Sequence, residues 1–282
     1  MVVTERLVRV HDLTPQAAAD GRLSVVSELC AAADAISDGY APFLHDAVAP
    51  RGDWRAPTSA ERSSLLGDPG VYGESDVLVV AVPELVRALS DYLGQRNDLV
   101  LLQKAVHDVA FIRALEGCID DLIPFCVRPE GLACQGAWVS PGGMRLVTHN
   151  MQVTPPRRIG LHVDNWDHLP LIERASGRRR LCVNVGLGPR YLIFLRTPIS
   201  ALVEAGKLPK EIPEDISPAV LVRAFLGKHL KQLTVRLRID PGEAYIMNAD
   251  DVIHDGASDA PDVPDVALHF LGHFGPGDSA AE

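Results

Sequence analysis

His162, Val163 and Asp164 stand on a strand-like run from Arg158 to Asp164, and a second histidine, His254, leaves another such run, Glu243 to Asn248, far downstream. In an extended strand residues i and i+2 face the same side. His162 and Asp164 can therefore hold one ion together while Val163 points into packing. A histidine from a distant strand then completes one face of an octahedron and leaves the opposite face open for substrate and oxygen, a geometry favoured by non-haem Fe(II). The expected chemistry is that of an oxygenase-type iron centre. The competing reading makes His162 and Asp164 a structural hydrogen-bonded pair and His254 a surface histidine. His149, on the preceding strand, is an alternative ligand, whereas His168 reads as a loop residue.

The elements that must position these residues change character along the chain. The first half reads as mostly helical. Ser24 to Ile36 is rich in helix formers, Pro83 opens a run with Leu85, Val86, Leu89, Tyr92 and Leu93 at helical spacing, and Asp98 to Leu122 carries a wide apolar stripe. His107 falls off that stripe, as a surface residue would. From Cys134 onward, short runs rich in Val, Ile, Leu and Thr alternate with Pro and Gly, the texture of strands joined by turns. The expected strands are Gln135 to Ser140, Arg145 to Val153, Arg158 to Asp164, Arg180 to Leu187, Arg190 to Arg196, Gln232 to Ile239, Glu243 to Asn248, Val252 to His254 and Val266 to Phe274. Between Arg196 and Gln232 an insertion reads as two helical pieces, Ser200 to Gly206 and Ser217 to Leu230, placed where it could close over a barrel mouth as a lid.

Composition narrows the class. Over 282 residues, 47% apolar and 23% charged composition supports a sizeable core and a globular chain. The net charge of -10, with Arg178-Arg179-Arg180 as the one basic tract, argues against a nucleic-acid partner. No apolar stretch reaches the roughly 20 residues that span a bilayer. Met1 to Arg6 lacks the basic-then-apolar order of a secretory signal, so a cytoplasmic location with no membrane association is the expectation. The five cysteines, Cys30, Cys118, Cys126, Cys134 and Cys182, show no C-x-x-C spacing and read as packing residues.

H-V-D at 162 to 164, followed by P-G-E-A-Y-I-M-N-A-D-D-V-I-H at 241 to 254, resembles the Fe(II)/2-oxoglutarate-dependent dioxygenase superfamily over the C-terminal half. The resemblance implies an α+β protein whose core is a double-stranded β-helix, or jelly roll, supported by helices. It is expected as a single domain: 1–132 a mainly helical support region, and 133–282 the jelly-roll core with an insertion at 197–231. The resemblance further implies His162, Asp164 and His254 as metal ligands, with Fe(II), 2-oxoglutarate and dioxygen as the reacting set. Relatives that halogenate carry a small residue in place of the acid, so Asp164 favours hydroxylation.

Many relatives place an arginine shortly beyond the distal histidine to bind the far carboxylate of 2-oxoglutarate, but 255–274 contains no Arg or Lys. A buried dicarboxylate needs a cationic partner. Arg180, sharing a strand face with Cys182 and Asn184, is the favoured substitute; Arg190 is the second, with Tyr191 a companion donor. His269 on the last strand is a further option, and His273 shares its face. For substrate, Thr148, Asn150 and Gln152 form a polar row that lines a pocket or lies on an exposed sheet face, and Asn165 and Trp166 follow the acid ligand at the mouth. Arg145, Arg157 and Arg158 nearby suggest an anionic or zwitterionic small molecule such as an amino acid. The alternative function is a metal-dependent cupin-like lyase, isomerase or oxygenase that does not use 2-oxoglutarate; a third is a non-catalytic binding domain on the same scaffold.

Overall fold

The structure is a computed structural model that describes residues 7–14, 21–68, 70–93, 98–212 and 216–275. Met1 to Arg6 and Pro213 lie outside the described residues. Two sheets dominate. The larger runs in the order β1 (Val10–Asp12), β5 (Val77–Ala81), β12 (Glu243–Met247), β9 (Arg179–Asn184), β14 (Asp265–Phe274) and β6 (Cys126–Ser140). It is antiparallel except for the β1–β5 pair. The smaller runs β13 (His254–Ser258), β10 (Arg190–Leu195), β11 (Thr234–Ile239) and β2 (Leu23–Val26), all antiparallel. Two short ribbons pair β3 (Glu28–Ala31) with β4 (Val48–Arg51) and β7 (His149–Asn150) with β8 (Arg157–Arg158).

The period of two along each central strand decides which layer a side chain joins. On β9, Cys182 packs between the sheets with Leu192, Phe194, Val235, Tyr245 and Met247, while Leu181 and Val183 face outward. On β10, Leu192 and Phe194 point inward and Ile193 and Leu195 outward. The outer face of the larger sheet is covered by α3 (Pro83–Leu93), α4 (Leu99–Ala105) and α5 (Val109–Gly117), which contribute Leu85, Leu89, Leu102, Phe111 and Leu115. β3, β4, α6 (Ile199–Glu204) and α7 (Pro218–Lys228) cover the outer face of the smaller sheet through Leu29, Val48, Ile199, Leu202, Val222 and Phe225. Two short helices, α1 (Ala32–Ala35) and α2 (Ser59–Leu65), complete the N-terminal part; α2 begins at a capping box in which Thr58 and Glu61 bond each other's backbone.

Several expectations require correction. Ser24 to Ile36 is helical only at Ala32–Ala35: Ser24–Val26 belongs to β2, whose valines favour a strand, and Glu28–Ala31 forms β3, where pairing with β4 overrides helix propensity. The apolar run from Asp98 to Leu122 is not continuous, since Asp108 caps a new helix, α5, after α4 has ended. The stretch 145–164 holds only the short β7–β8 ribbon and isolated bridges, interrupted by left-handed backbone at Leu146 (φ 57°) and Gly160 (φ 70°). At Gly160 a Cβ would stand 2.6 Å from the Val48 carbonyl oxygen, so this approach needs glycine. The described part of the helical insertion packs on the smaller sheet and its ribbon, and none of its described residues lines the metal-side cavity. Among the described residues no helix is long and apolar enough to cross a membrane.

Candidate metal centre

His162 and His254 sit directly opposite each other and exchange both backbone bonds: the His254 N–H donates to His162 O at 2.8 Å, and the His162 N–H to His254 O at 3.1 Å. Such a pair projects its side chains to one face, and the two rings lie 4.8 Å apart between centroids. Asp164, two residues on, is anchored by its own N–H to Ala249 O. Ligand atoms of His162, Asp164 and His254 all fall within 4.8 Å of one another.

The imidazole tautomers follow from their partners. Nδ1 of His162 lies 2.8 Å from Gly160 O, and Nδ1 of His254 lies 2.9 Å from Val252 O. A carbonyl only accepts, so each Nδ1 carries the proton and each Nε2 presents a lone pair to the centre. Nε2 of His254 is buried without a hydrogen-bond partner, and Nε2 of His162 lies 3.7 Å from Asp164 Oδ1. An unpartnered buried nitrogen beside a second imidazole and a carboxylate is the donor set a divalent transition metal takes, with the carbonyl bonds fixing ring orientation. The residues present fit an Fe(II) ion.

Electrostatics hold Asp164 and His254 in their metal-accepting forms. Burial pushes the Asp164 carboxyl up, but Arg180 and the two imidazoles outweigh it and bring it to about 2. Burial, reinforced by neighbouring His162, lowers His254 to about 3. Asp164 Oδ2 is occupied from two sides, by Arg180 and by Trp166 Nε1 at 2.9 Å, which leaves Oδ1 on the histidine side. The loop behind is held by fully buried Arg174, which donates to Asp164 O and Asp250 O at 2.8 Å each.

Asp164, Trp166, Arg180, Arg190 and His269 line one cavity of about 610 Å³, together with Trp138 and His149. Arg190 reaches inward from β10, donating to Cys182 Sγ at 2.9 Å and standing 3.6 Å from Asp265 Oδ2. Burial raises the Asp265 carboxyl. His269, stacked on Trp138 at 4.8 Å, is held well below the usual histidine range by burial and by Arg180 and Arg190. It therefore faces the cavity as a neutral ring, not as a cation.

Other expected site residues lie elsewhere. Tyr191 is on the opposite face of β10, beneath the Arg236 guanidinium. Asn150 accepts from the Gln152 N–H in a surface turn, so the polar row is broken; Thr148 instead donates to Asp255. Asn165 bonds Arg174 and His168 and belongs to the loop network. Arg158 is bound to Asp38, and His273 meets Arg128. Trp138, Gln103 and Gln135 line the cavity without having been singled out from sequence; an aromatic flanked by Gly136 and Ser140 offered no motif.

The fold and site define a β-rich α+β protein carrying a two-histidine, one-carboxylate metal centre. No protein-family model matches the chain, and no curated protein matches it. Among solved structures it is similar to the Kdo hydroxylase KdoO, described as a non-heme Fe(II) alphaketoglutarate dependent dioxygenase, in complex with alphaketoglutarate and Fe(III). That likeness has a TM-score of 0.35 and 15% identity over 71% of this chain and 80% of that one. The cobalt(II) complex matches at 0.35 and 15%, over 70% and 80%, and the apo structure at 0.35 and 16%, over 71% and 80%.

Proposed function

We propose that this chain is an Fe(II)/2-oxoglutarate-dependent oxygenase that hydroxylates a small polar molecule, in a single domain whose core, 133–282, is a double-stranded β-helix. From β9 to β14 the chain visits the larger, smaller, smaller, larger, smaller and larger sheet in turn, as a jelly roll requires. The observation that carries the reading is the convergence of two Nε2 lone pairs and one carboxylate oxygen beside a cavity that also holds two guanidiniums. Bound by His162, Asp164 and His254, Fe(II) supplies the redox chemistry by which 2-oxoglutarate and dioxygen yield succinate, carbon dioxide and an oxidised substrate.

The chain's own residues divide the remaining work. Arg180 is committed to Asp164 and positions that ligand. Arg190 is better placed to hold the distal carboxylate of 2-oxoglutarate: its Nε has no partner, and the carboxyl opposite it is pushed toward its neutral form by burial. His269 and Trp138 wall the same space, and Trp166 shields Asp164 from water. Trp166 and Thr148 line the cavity as candidate contacts for a substrate of anionic or zwitterionic character.

Succinate formation from 2-oxoglutarate with Fe(II) and dioxygen tests the reading. Fe(II)-dependent succinate release supports it. A chain that binds iron yet never consumes 2-oxoglutarate overturns the reading and leaves the cupin-like enzyme or the non-catalytic binding domain.

A further inference from the structure

The metal-side cavity shares part of its lining with a second one. This second cavity, of about 840 Å³, lies between β6 and the helices α4 and α5, and Gln103, Gln135, Trp138 and Val139 line both. Trp138 is thus a shared wall, held in place by its stack on His269. The two spaces differ in chemistry. Asp164, Arg180, Arg190 and Asp265 all line the first, whereas the second sets Val106, Ile112, Leu115 and Ala137 beside the uncharged amides of Gln103 and Gln135 and the ring of His107, with Glu116 its single carboxylate.

Exposed large apolar side chains gather at these openings. Trp138 is 50% exposed, Met151 75%, Trp166 39% and Ile112 41%, and each lines one or both cavities. Apolar groups left in water around a concavity mark a surface made to be covered. That Gln103, Gln135, Trp138 and Val139 line both cavities argues that one molecule covers both.

Resting on the proposed function, we infer that the substrate is amphipathic: a polar head is presented at the metal centre and an alkyl or acyl arm passes Trp138 into the cavity between β6 and α4–α5. This refines the small polar substrate by giving it an apolar extension. The arm supplies binding energy through the methylenes it buries, while the charged lining of the first cavity orients the head.

The test is a binding measurement on the full metal-free chain, read by tryptophan fluorescence. The probe is 10-bromodecanoate, whose bromine quenches indoles that it touches, with 3-bromopropionate as the short-chain control. Saturable quenching by the long probe alone, largely lost in Trp138→Phe, is expected. Ile112→Glu, which puts a charge into the arm's path, should weaken the long probe by about tenfold or more, and Leu187→Glu, on an exposed apolar residue that lines neither cavity, should not. If Ile112→Glu fails to fold by circular dichroism, Ile112→Ala takes its place, with a several-fold loss expected. Quenching that is unsaturable, independent of chain length or unchanged in the Ile112 variant overturns the inference, as does sedimentation showing that a second copy of the chain buries this surface. Because the assay needs neither iron nor turnover, its failure is distinct from a failure to release succinate.

Discussion

Arg180 donates to Oδ2 of Asp164, and so decides which oxygen of that carboxylate remains for an ion. Removing a group that orients a metal ligand typically costs about 10- to 100-fold in metal affinity. Arg180→Ala should accordingly weaken Co(II) binding by at least about tenfold on that scale, as measured by calorimetric titration. Unchanged affinity would show that Trp166 alone orients the carboxylate.

Arg190 is the cation assigned to 2-oxoglutarate. A hydrogen bond to a charged group contributes about 1.5–3 kcal/mol, so Arg190→Met should raise the KM for 2-oxoglutarate by about 10- to 100-fold and leave Fe(II) affinity near the wild-type value. A KM that moves in Arg180→Ala but not in Arg190→Met would reverse the assignment.

Asp164→Ala should abolish 2-oxoglutarate turnover and lower the melting temperature through the unpaired Arg180, while circular dichroism still shows a folded chain, because the His162–His254 backbone pair does not depend on the carboxylate. Activity that survives the substitution removes Asp164 from the centre.

Acid stability should report on the segment leading to the metal site. Buried Arg158 donates to both oxygens of Asp38 at 2.7 Å and to the carbonyls of Ala41 and Arg145, pinning β8 just ahead of His162. Burial pushes the Asp38 carboxyl up, but the Arg158 bonds outweigh it and leave it below its ordinary value. A depressed carboxyl stabilises the fold above its unfolded value, about 3.9, and that contribution disappears as pH falls through the folded value. Asp38→Asn should therefore be less stable than wild type at pH 7, with the gap closing below about pH 4 in denaturant titrations. Arg158→Met should cost about 3–5 kcal/mol, as expected when one partner of a buried pair is removed.

How far the sequence discloses this molecule depends on whether a signal is local. His162 and Asp164 are readable because strand period two places them together, and His254 because a turn and an apolar strand precede it. The strands β9 to β14 are readable to within one to three residues through their apolar runs, apart from β13, which begins where the expected strand ends. Local propensity misleads where distant pairing decides, as at Glu28–Ala31, whose helix formers are drawn into a ladder with β4. Single backbone conformations at Leu146 and Gly160 break the strands expected around them. Tyr191 illustrates the reverse case: adjacent to Arg190 in sequence, it must face the other side of the strand, and the same period-two rule that placed the metal ligands would have excluded it from the cavity.

The most direct test of the centre is anaerobic titration of the full chain with Fe(II) and then 2-oxoglutarate, followed by visible absorption, for wild type and His254→Ala. One iron per chain with a charge-transfer band on adding 2-oxoglutarate, both lost in the variant, is the predicted result. Iron bound equally by wild type and His254→Ala would contradict the account.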